Sequence, residues 1–524
     1  MRYSFSILFL ISILSFSYLA ASAQTDPREA KEHYNKRNYV AAVLVFDKLI
    51  KEEPGNSDYL HKAGICYLKT NIDKTKAIPY LEKAVKIVKV DPEAFFDLGL
   101  AYQYAYRFDD AIKSFEKYKT FIAGKDIELK KAARQIETCY NAKELIKYPL
   151  NVTFENMGPE INTEYPDYYP FIAPDETFLI FTTRRKGAPA VMEFDGFYSS
   201  DIYISNALNG EFTKSKSIGN SINSSFDEQA VGMSGDGNQL FVYIDNIKEF
   251  GDIYLSERKP GGTYKKPVII GEAVNSKSLE TSGTISYDDN ILFYASDKPG
   301  GFGGRDIYMT RKLPNGNWAQ SQNLGPNVNS AYNEDFPNIL SDGKTLYFAS
   351  EGHMGIGGYD IFHTQWNEES NTWSTPKNAG YPLNTPEDNH MITFTEDGKH
   401  GYTSLLRKGG YGDLDIYKVT FNEVEAQQTV IRGILSSLDT LQPVTAPLIT
   451  LFDLNNSDAE PNVYSINPNN NSCTIIVVPG KYELVIEADG FDDYKEKLVI
   501  FDKDGWQAQI EKYLIMKPTN YKIK

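Results

Sequence analysis

Cysteine is scarce. The 524 residues contain three, Cys66, Cys139 and Cys473, too far apart for a Cys-x-x-Cys pair and odd in number. At least one thiol therefore stays free or pairs between chains. All three are expected to be small buried apolar groups. Six histidines leave little for a zinc site, and no His-Glu-x-x-His occurs. There is no Asp-x-Asp-x-Asp-Gly loop for calcium. No metal and no cofactor are expected. After residue 19, no stretch reaches the ~18 apolar residues of a spanning helix. Positive charge is in deficit: 54 Lys and Arg face 70 Asp and Glu, for a net charge of −16. A nucleic-acid partner is excluded, because phosphate neutralisation needs clustered cations. Catalytic motifs are missing too. Gly232-Met233-Ser234-Gly235-Asp236 fails Gly-x-Ser-x-Gly at its last place. The run Gly300-Gly301-Phe302-Gly303-Gly304 opens no helix and so cradles no phosphate.

What is present is aromatic. Aromatics make up 13% of the chain, led by 36 Tyr and 29 Phe, which suits pleated sheet. The length predicts about three or four domains. Residues 1–23 read as a signal peptide: Arg2, an apolar run at 7–19, then Ala21-Ser22-Ala23, with cleavage between Ala23 and Gln24. No Cys follows the run, so no lipid anchor is expected there. The product is expected to be exported to the periplasm, free or held at the outer membrane by partners.

Residues 24–149 carry a helical repeat. Gly64-x-x-Tyr67 recurs as Gly99-x-x-Tyr102, and Ala30 holds the same place 34 residues before Gly64. Each second helix pairs a small residue with a bulky one: Ala42 with Phe46, Ala77 with Leu81, Ala111 with Phe115. Small residues let helices approach and large ones fill the gap. The pattern resembles tetratricopeptide repeats, with one further helix capping the stack. That resemblance implies a concave groove for peptides or partner proteins. The groove would display Asp58, His61, Leu68, Lys69, Glu93, Phe96, Gln103 and Tyr104.

From residue 150 to 425 three markers recur in step. Gly-x-x-apolar-Asn ends at Asn162, Asn223, Asn275, Asn329 and Asn384. An acidic turn follows, at Asp175, Asp236, Asp288, Asp342 and Asp397. Asp-Ile-aromatic then starts at Asp201, Asp252, Asp306, Asp360 and Asp415. Asp-Gly is a hairpin signal, and alternating strands flank it. Each unit reads as four antiparallel strands, and residues 152–154 can close the last one. The units resemble WD40-like repeats of the TolB type. That implies a five-bladed β-propeller used as a protein-binding platform. Around 184–200 the first unit carries extra residues, either a contact or an idle insertion.

An acidic residue follows each Asn marker: Glu164, Glu228, Glu280, Glu334 and Asp388, with Glu387 beside it. Symmetry would set them on a ring. Three readings stand: local hydrogen bonding at strand starts, a cation site, or glycosidase acid–base work. Catalysis needs inequivalent carboxylates, and five matching copies point to structure.

Residues 426–517 read as strands. Pro479-Gly480 turns the chain, and Tyr482, Leu484 and Ile486 share one face of the next strand. The segment resembles carboxypeptidase-regulatory-like domains, which are transthyretin-like β-sandwiches; 518–524 is a tail. The fold class expected is multidomain, α plus all-β. The domain order resembles PorE-like envelope proteins of Bacteroidetes, linked to type IX secretion and gliding, but without the OmpA-type C-terminal domain of that family. The resemblance implies a non-enzymatic scaffold. Its partners would be envelope or outer-membrane proteins and a peptidoglycan-associated complex. The alternative is a propeller hydrolase acting on glycans.

Overall fold

The computed structural model describes residues 25–246, 249–422, 428–456, 459–501, 507 and 509–521. The cleavage site at Ala23 and Gln24 lies outside them. Among the described residues seven helices come first: α1 Pro27–Asn35, α2 Tyr39–Glu52, α3 Ser57–Leu68, α4 Ile78–Ala84, α5 Glu93–Tyr104, α6 Phe108–Lys119 and α7 Asp126–Leu145. A 3-10 turn, Lys74–Ala77, leads into α4. Asparagines start two of them. Asn38 accepts the Ala41 N–H at 3.1 Å, and Asn56 accepts those of Asp58 and Tyr59. Each helix packs on the next. The repeat explains how. A Cβ on Gly64 would lie 2.5 Å from Leu81, and one on Gly99 would lie 2.5 Å from Phe115. The two repeated glycines are where the bulky residue of the neighbouring helix lies against backbone. The cysteines are all buried and unpaired. Burial pushes the Cys66 and Cys473 thiols up to about 12.

Five antiparallel sheets follow. Their inner strands are Asp167–Ile172, Asp227–Met233, Glu280–Ile285, Glu334–Ile339 and Thr393–Phe394. Each inner strand of the first three sheets touches the next sheet's, and Thr393–Phe394 touches Asp167–Ile172. Asn338 donates to the Ile392 carbonyl, joining the fourth and fifth. The sheets therefore form a closed, propeller-like ring. Val152–Asn156, entering from the helices, pairs antiparallel with Asp415–Phe421, from Val152 opposite Phe421 to Asn156 opposite Tyr417. The fifth sheet is completed by the segment that begins the ring, so neither end leaves an open edge.

The markers explain one another. In each unit the Asn side chain donates to the carbonyl of the Ile in Asp-Ile-aromatic: Asn162 to Ile416, Asn223 to Ile202, Asn275 to Ile253, Asn329 to Ile307 and Asn384 to Ile361. In four of them that Ile N–H donates back to the same side chain. The marker glycine turns the chain towards this bond, and all five hold a positive φ.

The last part is two four-stranded sheets. One carries Thr429–Ser437 between Ser472–Val477 and, in parallel, Gln509–Met516; the other carries Leu448–Asp453 beside Gly480–Glu487. They bury one core of Ile431, Leu451, Ile475, Tyr482, Leu484, Ile486 and Leu514.

The three parts are packed together. Ile356, in the Gly-rich loop of the fourth sheet, is fully buried within the helical core. Gln103 donates to its carbonyl at 3.4 Å. Arg134 of α7 donates to the carbonyls of Glu351 and His353, each at 2.6 Å. Lys74 pairs with Glu387, and Asn71 donates to Asp413 at 2.9 Å. On its other side α7 meets the last part: Thr474 donates to Asn141 at 3.1 Å, and Ile476 joins the helical core.

Candidate functional site

The acidic positions are built from strand starts. Glu228, Glu280 and Glu334 begin inner strands and are no more than 1% exposed. Each accepts the backbone N–H and the hydroxyl of the serine four residues earlier: Ser224, Ser276 and Ser330. Ser296 and Ser350 add a second hydroxyl to Glu280 and Glu334. Burial raises all three carboxyls, Glu334 to about 7. The other two expected members are corrected. Glu164 and Asp388 are exposed. The equivalent places belong to Asp167, which accepts from Thr163 at 2.7 and 2.8 Å, and to Asn389, which accepts from Thr385 at 2.7 Å. Counting four residues from the Ser or Thr after each Asn marker would have found both. The series is Asp, Glu, Glu, Glu and Asn, each member closing its own turn. Asp388 instead accepts the Tyr359 N–H, and Glu387 holds Lys74.

The candidate helical groove is not open. Leu68 and Phe96 are core residues; the Phe96 ring lies 5.2 Å from Phe115 and 5.3 Å from Tyr118. They are corrected from groove to core, because their faces of α3 and α5 pack on the following helices. Glu93 accepts the Tyr118 hydroxyl. His61 lies 2.7 Å from Asp97, joining α3 to α5. Gln103 meets Ile356, and Tyr104 sits under Lys74, whose Nζ is 5.0 Å from the ring. Asp58, paired with Lys62, and Lys69 face solvent.

The repeated aspartates fold their own loops. Asp306 accepts from the N–H groups of Phe302 and Gly303, and Asp360 from those of Ile356 and Gly357. Asp201 differs. It is 1% exposed, and neither carboxylate oxygen has a partner. The extra residues at 184–200 replace the Gly-rich loop that would supply one. Burial, then Glu228 and Asp227, push its carboxyl up to about 7. The insertion itself is ordered. Arg184 holds Asp195 and Glu193, each at 2.7 Å, and Lys36 stands 5.6 Å from the Phe194 ring.

At the centre of the ring two residues, each two beyond a strand start, meet beside His390, which precedes Thr393–Phe394. The Tyr169 and Phe336 rings are 4.5 Å apart, with His390 at 5.9 and 5.5 Å. Both aromatic residues hold a positive φ, 53° and 49°, directly before Pro170 and Pro337. Such backbone is costly for bulky residues and persists only where packing fixes it. Beside them Arg305 pairs with Asp335 at 3.0 Å and donates to the Tyr359 hydroxyl, while Ser282 and Thr281 donate to Asp335. No signal in the sequence set these residues apart.

Two residues further along the same strands the ring opens into a funnel of about 580 Å3. Phe171, Phe178 and Met233 form apolar wall, with Asn338 and Thr393 as polar points. Asp175, Asp236 and Glu396 stand at the lining against one cation, Arg258. Tyr287 is 65% exposed there. Among the described residues no group of three His, Cys, Asp or Glu could hold a metal ion, and no helix is long and apolar enough to cross a membrane.

No family model matches the chain, and no curated protein matches it. Solved structures do. TolB from Acinetobacter baumannii is 12% identical over 60% of this chain and 62% of its own, with a TM-score of 0.29. An endo-arabinase from Bacteroides thetaiotaomicron is 13% identical over 49% and 94%, at 0.31. The periplasmic gluconolactonase PpgL of Pseudomonas aeruginosa is 11% identical over 64% and 86%, at 0.27. Scores this low carry no functional argument, so function is argued from the site.

Proposed function

We propose that the protein is an exported, non-enzymatic scaffold of the cell envelope that binds partner proteins, in the manner of the PorE-like proteins its domain order resembles. In this reading the helices are tetratricopeptide repeats, the five sheets are the blades of one propeller, and the last part is a carboxypeptidase-regulatory-like sandwich. The observation that carries it is the state of the repeated acids. Each of Asp167, Glu228, Glu280 and Glu334 is buried and closes its own turn, and Asp167 is also paired with Arg185. A glycosidase needs two inequivalent carboxyls facing one substrate.

The partner contact in this reading is the funnel. The helical groove is taken by Ile356, whereas the funnel combines apolar wall with three acids to one cation. It suits a partner segment carrying positive charge beside an apolar side chain. The test pairs two measurements on purified protein and native envelopes. Glu280→Gln with Glu334→Gln should leave any glycan-hydrolysing activity of the preparation unchanged, and Glu396→Lys should weaken co-purification of envelope partners several-fold. Loss of hydrolysis in the first variant, with folding intact, would favour the hydrolase alternative.

A further inference from the structure

A second concavity lies between the first and second sheets and adjoins the funnel, with which it shares Arg258. It is an open groove of about 860 Å3. Its charged residues are Lys216, Arg258 and Lys259, and no carboxylate lines it. In a chain of net charge −16, a cavity lined by cations alone runs against the average. None of the three forms an ion pair among the described residues, and the buried Nε of Arg258 has no partner. Arg258 is held in place, its guanidinium 4.0 Å from the centre of the Phe178 ring. The turn that presents Lys259 is shaped around it. Gly262 donates to the Lys259 carbonyl at 3.0 Å, and a Cβ on Gly262 would come 3.3 Å from Arg258 Nη2. Asn206, Asn238 and Thr263 supply neutral polar groups, over a floor that includes the buried Ile204.

We propose that this groove binds a linear acidic glycan, a short run of uronic-acid-type sugars, through Lys216, Arg258 and Lys259. The groove's volume lies in the range of whole ligand sites and far exceeds what one small oxyanion fills. Guanidinium and ammonium groups receive the carboxylates, the guanidinium in a forked geometry. The amide and hydroxyl side chains of Asn206, Asn238 and Thr263 in the same lining can meet sugar hydroxyls. The attraction of the three cations acts at short range and is screened as salt is added.

The probe is tetragalacturonate, titrated calorimetrically into the whole chain, with maltotetraose as the neutral control and inorganic phosphate as the free-anion control. Tetragalacturonate should bind, with affinity falling at higher salt. Lys216→Gln with Lys259→Gln should weaken it about tenfold or more while thermal unfolding stays unchanged. Arg258→Gln should weaken it too; because Arg258 also covers Phe178, its melting is read alongside. Absence of binding to the wild-type chain would overturn the proposal, as would equal affinity in the lysine variant. Equal binding of maltotetraose would overturn the anionic part, and full displacement by phosphate would overturn the extended-ligand part.

Discussion

Asp201 is where the repeat leaves a charge without a partner, and it sets a test by pH. Its carboxyl titrates near 7 in the folded chain, against an ordinary value of 3.8. A raised folded pKa means that the native state binds the proton more tightly, so stability is lost as pH rises from about 4 to about 7 and stays lost above. Asp201→Asn should therefore be more stable than wild type at pH 8, by about 1–3 kcal/mol, with the gain gone near pH 4. Denaturant titrations at the two pH values check this. Glycine 99 sets the opposite test. Alanine there gains helix propensity of about 1 kcal/mol but drives a methyl to 2.5 Å from Phe115. Gly99→Ala should lose about 1–3 kcal/mol net, and adding Phe115→Leu should recover part of it. The small-and-large pairing was legible in the sequence because both partners sit on one period. The acids at 164 and 388 were misassigned because nearness to the Asn marker was used, whereas the hydrogen bond counts from Thr163 and Thr385. Tyr169 and Phe336 left no trace, since a positive φ before proline opposes every local rule.

Elements join by contacts of two kinds, and only one kind could be read beforehand. Closure by Val152–Asn156 was legible, because a strand stood before the first marker and none after the last. Glu155→Pro removes a ladder donor opposite Lys418 and should lower the melting temperature of the ring by several degrees. Unchanged melting would argue that the strand is decoration. The seating of Ile356 in the helices was not legible: it joins residues 253 positions apart through a loop that looked like any other Gly-rich turn. Ile356→Asp places an unpaired charge in that seat. It should split one unfolding transition into two and release the helical part to limited proteolysis.

The whole molecule gains from this packing. A helical stack whose groove is filled by its own propeller acts as a brace, with Arg134 gripping the ring and Asn141 the terminal sandwich. The funnel and the cationic groove share Arg258, so the two proposed contacts lie side by side on the ring. The most direct measurement places a photo-activated cross-linker at position 287, on the funnel wall, or at position 104, beneath Lys74, in cells carrying the native envelope. The account predicts discrete protein adducts from 287 that vanish with Glu396→Lys, and only intramolecular products from 104. Partner adducts from 104 with none from 287 would contradict it, by showing that the helical groove opens to receive the partner.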